Sequence, residues 1–159
     1  MNRIKSSVGI LAVVFAFAVA VEARQKNSPP PPPQATAEYA SAANPNARNF
    51  SEFVKVGNMI YLAGKLGTDS TGKLPTGGIG PETKQTLENI KATLEKNGSS
   101  MDNVVKCTVM LADMKEWGEM NVVYNTFFKK ERLPARSAFG TSGLALNGRV
   151  EIECMATLK

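Results

Sequence analysis

The residue types that can do chemistry in this chain are few. His is absent from all 159 residues. That removes Ser-His and Cys-His nucleophiles, histidine general bases and histidine metal ligands together. Cys107 and Cys154 are the only cysteines, too few for a four-cysteine zinc site or an iron–sulfur cluster within one chain. No metal site is expected. Chemistry must run on Arg, Lys, Asp, Glu, Tyr, hydroxyls, backbone groups and bound water. Two segments stand out, Leu133-Pro134-Ala135-Arg136-Ser137-Ala138 and Val150-Glu151-Ile152-Glu153. Arginine offers a planar fork that pairs two N–H groups with a carboxylate and keeps its charge at any working pH. A glutamate can orient a water molecule or move a proton. By spacing alone, the favoured reading of Arg136 is an ion pair across a subunit boundary. Glu151 and Glu153 share a strand face, and either could be a partner for Lys106 across a subunit interface.

The elements that must hold these residues read as two strand–helix halves. Phe53–Val56, a Gly57-Asn58 turn and Met59–Ala63 form a hairpin, with both turn residues tolerant of positive φ. A glycine-rich connection leads to a helix whose first turn carries Pro81. Its apolar positions are Leu87, Ile90 and Leu94, and Asn97-Gly98 stops it. Val104–Leu111 is a strand whose inner face is Val105, Cys107, Val109 and Leu111. Asp113-Met114-Lys115-Glu116 reads as a capping box opening a second helix. Trp117, Met120, Tyr124, Phe127 and Phe128 form its apolar stripe, which belongs to the core. That helix must end before Leu133-Pro134. Ala135–Phe139 and Arg149–Leu158 are strands, the latter burying Val150, Ile152, Cys154 and Ala156.

The expected order is β-β-α-β-α-β-β, an α+β fold with two helices on one face of a mixed sheet. The other face carries Glu151, Glu153, Met155, Thr157, Lys106, Thr108 and Met110. A mixed face of this kind is solvated or covered by another subunit, and oligomerisation through it is the economical expectation.

The N-terminal part reads as separate from this domain. Arg3 and Lys5 precede an apolar run, Val8–Val21, followed by small residues at candidate cleavage points. The run is shorter than the roughly 20 residues of a membrane-spanning helix. Residues 1–23 are therefore expected to be a signal peptide and the protein exported, periplasmic or secreted; an uncleaved N-terminal anchor is the alternative. After cleavage no membrane association is expected. Residues 24–45, with the block Pro29–Pro33, read as a Pro-rich linker. The domain is then 46–159. Hydrophobic residues make up 43% and charged residues 21% of the chain, a globular profile. The formal charge of +5 is scattered rather than clustered, so no nucleic-acid arm is visible.

Several segments carry a resemblance. Val56-Gly57-Asn58-Met59-Ile60, Thr86-Leu87-Glu88-Asn89-Ile90-Lys91 and Val104-Val105-Lys106-Cys107-Thr108-Val109 resemble the RidA/YjgF (L-PSP, reactive-intermediate deaminase) family. So, above all, do the Pro-Ala-Arg-Ser and Glu-Ile-Glu segments. The resemblance implies a chorismate-mutase-like fold assembled as a homotrimer, with clefts between neighbouring subunits. It implies hydrolysis of 2-imino or enamine acids to 2-oxo acids and ammonia without cofactors. Carried onto this chain, Arg136 anchors the substrate carboxylate. Glu151 orients or deprotonates the water and returns a proton to the leaving amine. Asn121 matches a family position on the second helix.

The chain also departs from that pattern. Phe50 stands where deaminating members usually have tyrosine, and Ala63-Gly64-Lys65 where they usually have Ser-Gly-Gln. Ala138 occupies a position that takes cysteine or another small residue. Two hydroxyls are thus lost, each worth roughly 1 kcal/mol or more of hydrogen bonding. Lys65 is a candidate second contact to the carboxylate. The alternative functions are a non-catalytic trimeric binder of small carboxylates, or chaperone-like protein, and an endoribonuclease. The lack of histidine and of a basic–aromatic stripe argues against the last. Cys107 and Cys154 share an inward phase and read as two buried thiols, with a disulfide as the alternative.

Overall fold

A computed structural model of the protein describes residues 34–40 and 49–159. The expected signal peptide and the Pro29–Pro33 block lie outside the described residues. The strands are β1 (Ala37–Tyr39), β2 (Phe53–Val56), β3 (Met59–Leu62), β4 (Lys65–Leu66), β5 (Val104–Leu111), β6 (Ala135–Gly140) and β7 (Val150–Thr157). The helices are α1 (Ile79–Lys96), between β4 and β5, and α2 (Trp117–Tyr124), between β5 and β6. The strands form one sheet in the order β1-β2-β3-β7-β5-β6, with β4 also paired to β7. All pairings are antiparallel except β5 with β6. That parallel pair needs a crossover, which α2 supplies.

Two strands were not foreseen in the order β-β-α-β-α-β-β. β1 pairs with β2 from within the stretch read as a linker, so ordered chain begins before residue 46. The short, exposed Ala37–Tyr39 has no hydrophobic alternation to announce it. β4 is only two residues long, below what periodicity can register.

The hairpin forms as its residues dictate. Val56 pairs with Met59 across Gly57-Asn58, and Gly57 alone takes the left-handed conformation, at φ 58°. Helix α1 buries Ile79, Leu87, Ile90 and Leu94 completely. Each such side chain contributes about 1.5–3 kcal/mol over an exposed one. Pro81 sits in the first turn and Asn97 caps the end, followed by Gly98 at φ 84°. From the sheet, Ile60, Cys107, Val109, Leu111, Val150, Ile152, Cys154 and Ala156 meet this helix layer to make the core.

Three local expectations are corrected. Val105 is exposed rather than inward, because the β5–β7 register shifts between Val104 and Lys106 and Val104 takes the core position. An extra residue at such a bulge flips the alternation. The capping box is half made: Asp113 accepts from the Lys115 N–H at 2.9 Å, but the Glu116 side chain turns to Arg149 instead. A short turn, Met114–Glu116, therefore precedes α2. In the apolar stripe Met120, Tyr124 and Phe128 are buried, whereas Trp117 is exposed.

Cys107 and Cys154 are not free thiols. They face each other in register across β5 and β7 with Cα atoms 4.1 Å apart and form a disulfide. Inward phase was readable from alternation. The register that sets the two residues directly opposite is a tertiary property.

Candidate active site

Glu151 is the second residue of β7 and alternates with the buried Val150 and Ile152, so its side chain leaves the sheet on the face away from the helices. Its carboxylate lies over Gly64: a Cβ at that position would collide with Glu151 Oε1. Glycine is required there for close approach, not for an unusual φ. β4 follows at once, pairing Lys65 with Ile152 and Leu66 with Glu151. The loop that carries Ala63 and Gly64 is thereby laid against the carboxylate. Asn89 of α1 donates to the carbonyls of Leu66 and Thr68, both at 2.9 Å, and fixes this loop from below.

Around Glu151 is a cavity of about 690 Å³ whose walls include Phe50, Glu52, Gly64, Lys65 and Leu146. Phe50 is 65% exposed. Ala63 adjoins through its N–H, which donates to the Glu52 carbonyl at 3.0 Å. Lys65 was expected to offer its ammonium to a ligand. It instead holds Glu52, Nζ to Oε1 at 2.6 Å. With Lys65 mostly buried and Glu52 more open, this pair holds the lysine head against the β2 side of the cleft.

Leu146 comes from the loop between β6 and β7. Leu146 and Asn147 both adopt left-handed backbone, φ 58° and 55°. Residues other than glycine in this region carry roughly 1–3 kcal/mol of strain each, and such strain clusters near functional sites. The loop is tied down by Glu82, which is 5% exposed and accepts from the Arg149 N–H at 2.8 Å. The Arg149 guanidinium then bridges Glu82 and Glu116.

Arg136 belongs to a different group. It lies in register with Cys107, which faces Cys154. It therefore projects on the helix side of the sheet, and its Cζ stands 4.6 Å from the centre of the Tyr124 ring. Ala138, two residues on, packs against the core from the same face. Asn121, one turn before Tyr124 on α2, has its Oδ1 buried without a hydrogen-bond partner among the described residues. The Tyr124 hydroxyl is likewise buried and unpartnered among those residues. Burial pushes its pKa up to about 12, partly opposed by the charge of Arg136.

The predicted site residues thus fall into two sets. Phe50, Ala63, Gly64, Lys65 and Glu151 come together around one cavity. Arg136, Asn121 and Ala138 gather at the β6–α2 edge. Glu52, Leu146 and Tyr124 were missed. Opposite charges at the two ends of the hairpin signal the Glu52–Lys65 pair; nothing local announces Leu146. Within the chain Lys106 Nζ donates to Ser137 Oγ at 2.8 Å. Among the described residues no group of three or more Cys, Asp or Glu is placed to hold a metal ion.

Comparison with known proteins places the chain in a family. The family model described as Endoribonuclease L-PSP matches residues 40–158. The mouse (Mus musculus) protein named 2-iminobutanoate/2-iminopropanoate deaminase is 44% identical over 108 residues, covering 67% of this chain and 79% of the mouse protein. The solved structure of yeast Mmf1 superposes with a TM-score of 0.71 at 36% identity, covering 78% of this chain and all of the yeast chain. RidA from an Antarctic Psychrobacter bacterium superposes with a TM-score of 0.67 at 34% identity, covering 80% of this chain and 100% of that one. The α+β fold, the Pro-Ala-Arg-Ser strand and a family match spanning β2 to β7 and both helices lead to one conclusion: this chain belongs to the RidA/YjgF (L-PSP) family.

Proposed function

We propose that the protein hydrolyses 2-imino or enamine acids to 2-oxo acids and ammonia, at sites shared between copies of the chain in a homotrimer. The observation that carries this reading is the Glu151 carboxylate. It is cradled at Gly64 in an open cavity and engaged by no ion pair among the described residues. Relatives at about this identity bear the imine deaminase name.

The chemistry asks little of the protein. A protonated imine carbon is already electrophilic. Arg136 holds the substrate carboxylate through paired N–H donors. Glu151 takes a proton from water as its oxygen bonds to the imine carbon. The resulting carbinolamine receives that proton on nitrogen; Glu151, again a carboxylate, takes the hydroxyl proton as the C–N bond breaks, ammonia leaves and a 2-oxo acid remains. No cofactor enters. Phe50 supplies an apolar wall where a hydroxyl is usual, and Lys65, held by Glu52, lines the cleft rather than gripping a second anion.

Assembly is part of the proposal because Arg136 and Glu151 project from opposite faces of one chain's sheet. A second copy that lays its Arg136 edge against the Glu151 cavity completes the site. The half-buried Thr108, Met110 and Met155 provide a face for such a contact. Export is the accompanying proposal, supported by the Cys107–Cys154 disulfide, since disulfides persist in oxidising compartments.

The test is imine hydrolysis by the full chain, with iminopropanoate and iminobutanoate generated in situ by an amino-acid oxidase. Wild type should accelerate imine loss, and Arg136→Ala and Glu151→Gln should each abolish the acceleration. A folded wild-type protein that does no better than buffer sinks the deaminase reading. Binding of small carboxylates without turnover then becomes the function to pursue.

A further inference from the structure

We infer that Tyr124 is the positioning residue for Arg136: its ring face holds the guanidinium in place while leaving the N–H donors free for a carboxylate. The inference rests on the reading of Arg136 as the carboxylate anchor and adds the element that makes it a prepared one.

Two arginines of this fold show the contrast. Arg149 is held by carboxylates, through a hydrogen bond to Glu116 and an ion pair with Glu82. Arg136 is engaged by no carboxylate and no hydrogen bond among the described residues; its partner is the Tyr124 ring at 4.6 Å. A cation over an aromatic face is attracted by the ring quadrupole, and no N–H is consumed in the contact. A loose arginine would lose rotamer freedom on binding a ligand, and a stacked one has already lost much of it.

Tyr124 has the properties of a platform. It is 3% exposed and sits on α2, its ring 4.8 Å from that of Phe128. Its hydroxyl is buried with no partner among the described residues. A tyrosine kept for its hydroxyl would have that group bonded. The face of the ring, not the oxygen, is the part in use. Asn121, three residues earlier on the same helix, directs no hydrogen bond to Arg136, so the ring acts alone.

The test replaces Tyr124 in the full-length protein by Phe, by Leu and by 4-cyanophenylalanine. The last keeps the ring's shape but weakens the negative charge of its face. KM and kcat for imine hydrolysis are measured, together with the Arg136 Nε–H signal by NMR and the melting temperature. Tyr124→Phe should keep KM within about twofold of wild type. Tyr124→Leu and the cyano variant should raise KM about fivefold with kcat little changed, a size typical of one cation–π contact. The Arg136 Nε–H signal, displaced by the ring current in wild type, should stay displaced in the Phe variant and relax in the Leu variant. A folded cyano variant with unchanged KM overturns the inference, as does a Phe variant as impaired as Leu. The NMR signal decides the stacking whether or not the protein turns out to be a deaminase. Loss of activity in Arg136→Ala tests the functional reading separately.

Discussion

Arg136 and Glu151 leave the same sheet on opposite faces. Arg136 lies in one row with Cys107 and Cys154, whereas Glu151 is in register with Met110 and Phe139. Within one chain the two side chains therefore cannot close on one small molecule, because alternate residues of a strand point to opposite sides.

Subunit complementation follows from this geometry. Co-expressed Arg136→Ala and Glu151→Gln chains should recover activity that neither has alone. In a randomly mixed assembly about a quarter of shared sites draw an intact arginine from one copy and an intact glutamate from another. Imine hydrolysis by the co-purified mixture should reach about that fraction of wild type. Complete inactivity of a mixed, assembled sample would place both residues of each site in one chain.

The Gly64 contact gives a second test. An alanine there drives its methyl into the Glu151 carboxylate, so the glutamate must move. Gly64→Ala should cut kcat at least tenfold with little change in stability, because the carboxylate can swing into the open cavity. Urea unfolding and imine hydrolysis measure the two effects. A variant with wild-type kcat would show that the position of Glu151 does not matter.

The disulfide spans 47 residues of sequence and lies wholly inside the core. A covalent loop of that length restricts the unfolded chain by roughly 4 kcal/mol in the chain-entropy picture, with 2–4 kcal/mol typical in practice. Cys107→Ala with Cys154→Ala should lower the unfolding free energy by about that amount, and reductant should then have no further effect. Equal stability of the double variant and wild type would show that the bond contributes nothing.

Tyr124 links stability to alkaline pH. Its folded pKa, about 12, lies above the ordinary value of 10.0, so between these pH values the unfolded chain gives up the proton more readily. The contribution is complete below pH 10 and is lost as pH rises towards 12. It amounts to on the order of 2–3 kcal/mol. Wild type should therefore lose stability relative to Tyr124→Phe over that interval, as read by denaturant titration at fixed pH. Parallel curves would mean that the phenol ionises equally in both states.

Local pattern made much of this molecule legible in advance. The Gly57-Asn58 hairpin, the Leu87–Ile90–Leu94 helix, the strand at Val104–Leu111 and the alternation along Val150–Thr157 all follow from side-chain periodicity and turn chemistry, which act within a few residues. The lack of histidine settled which chemistries were out of reach before any fold was considered. The Pro-Ala-Arg-Ser and Glu-Ile-Glu segments pointed to the family. What periodicity could not carry was register and crossing: the β5 bulge that turns Val105 outward, the pairing that sets Cys107 against Cys154, and the binding of Lys65 by Glu52. Neither could it show that Arg136 rests on Tyr124 rather than beside Glu151. These are relations between residues far apart in the chain. They are decided by how the sheet closes and how the helices cover it, since only the burial of the whole core selects one register over its neighbours.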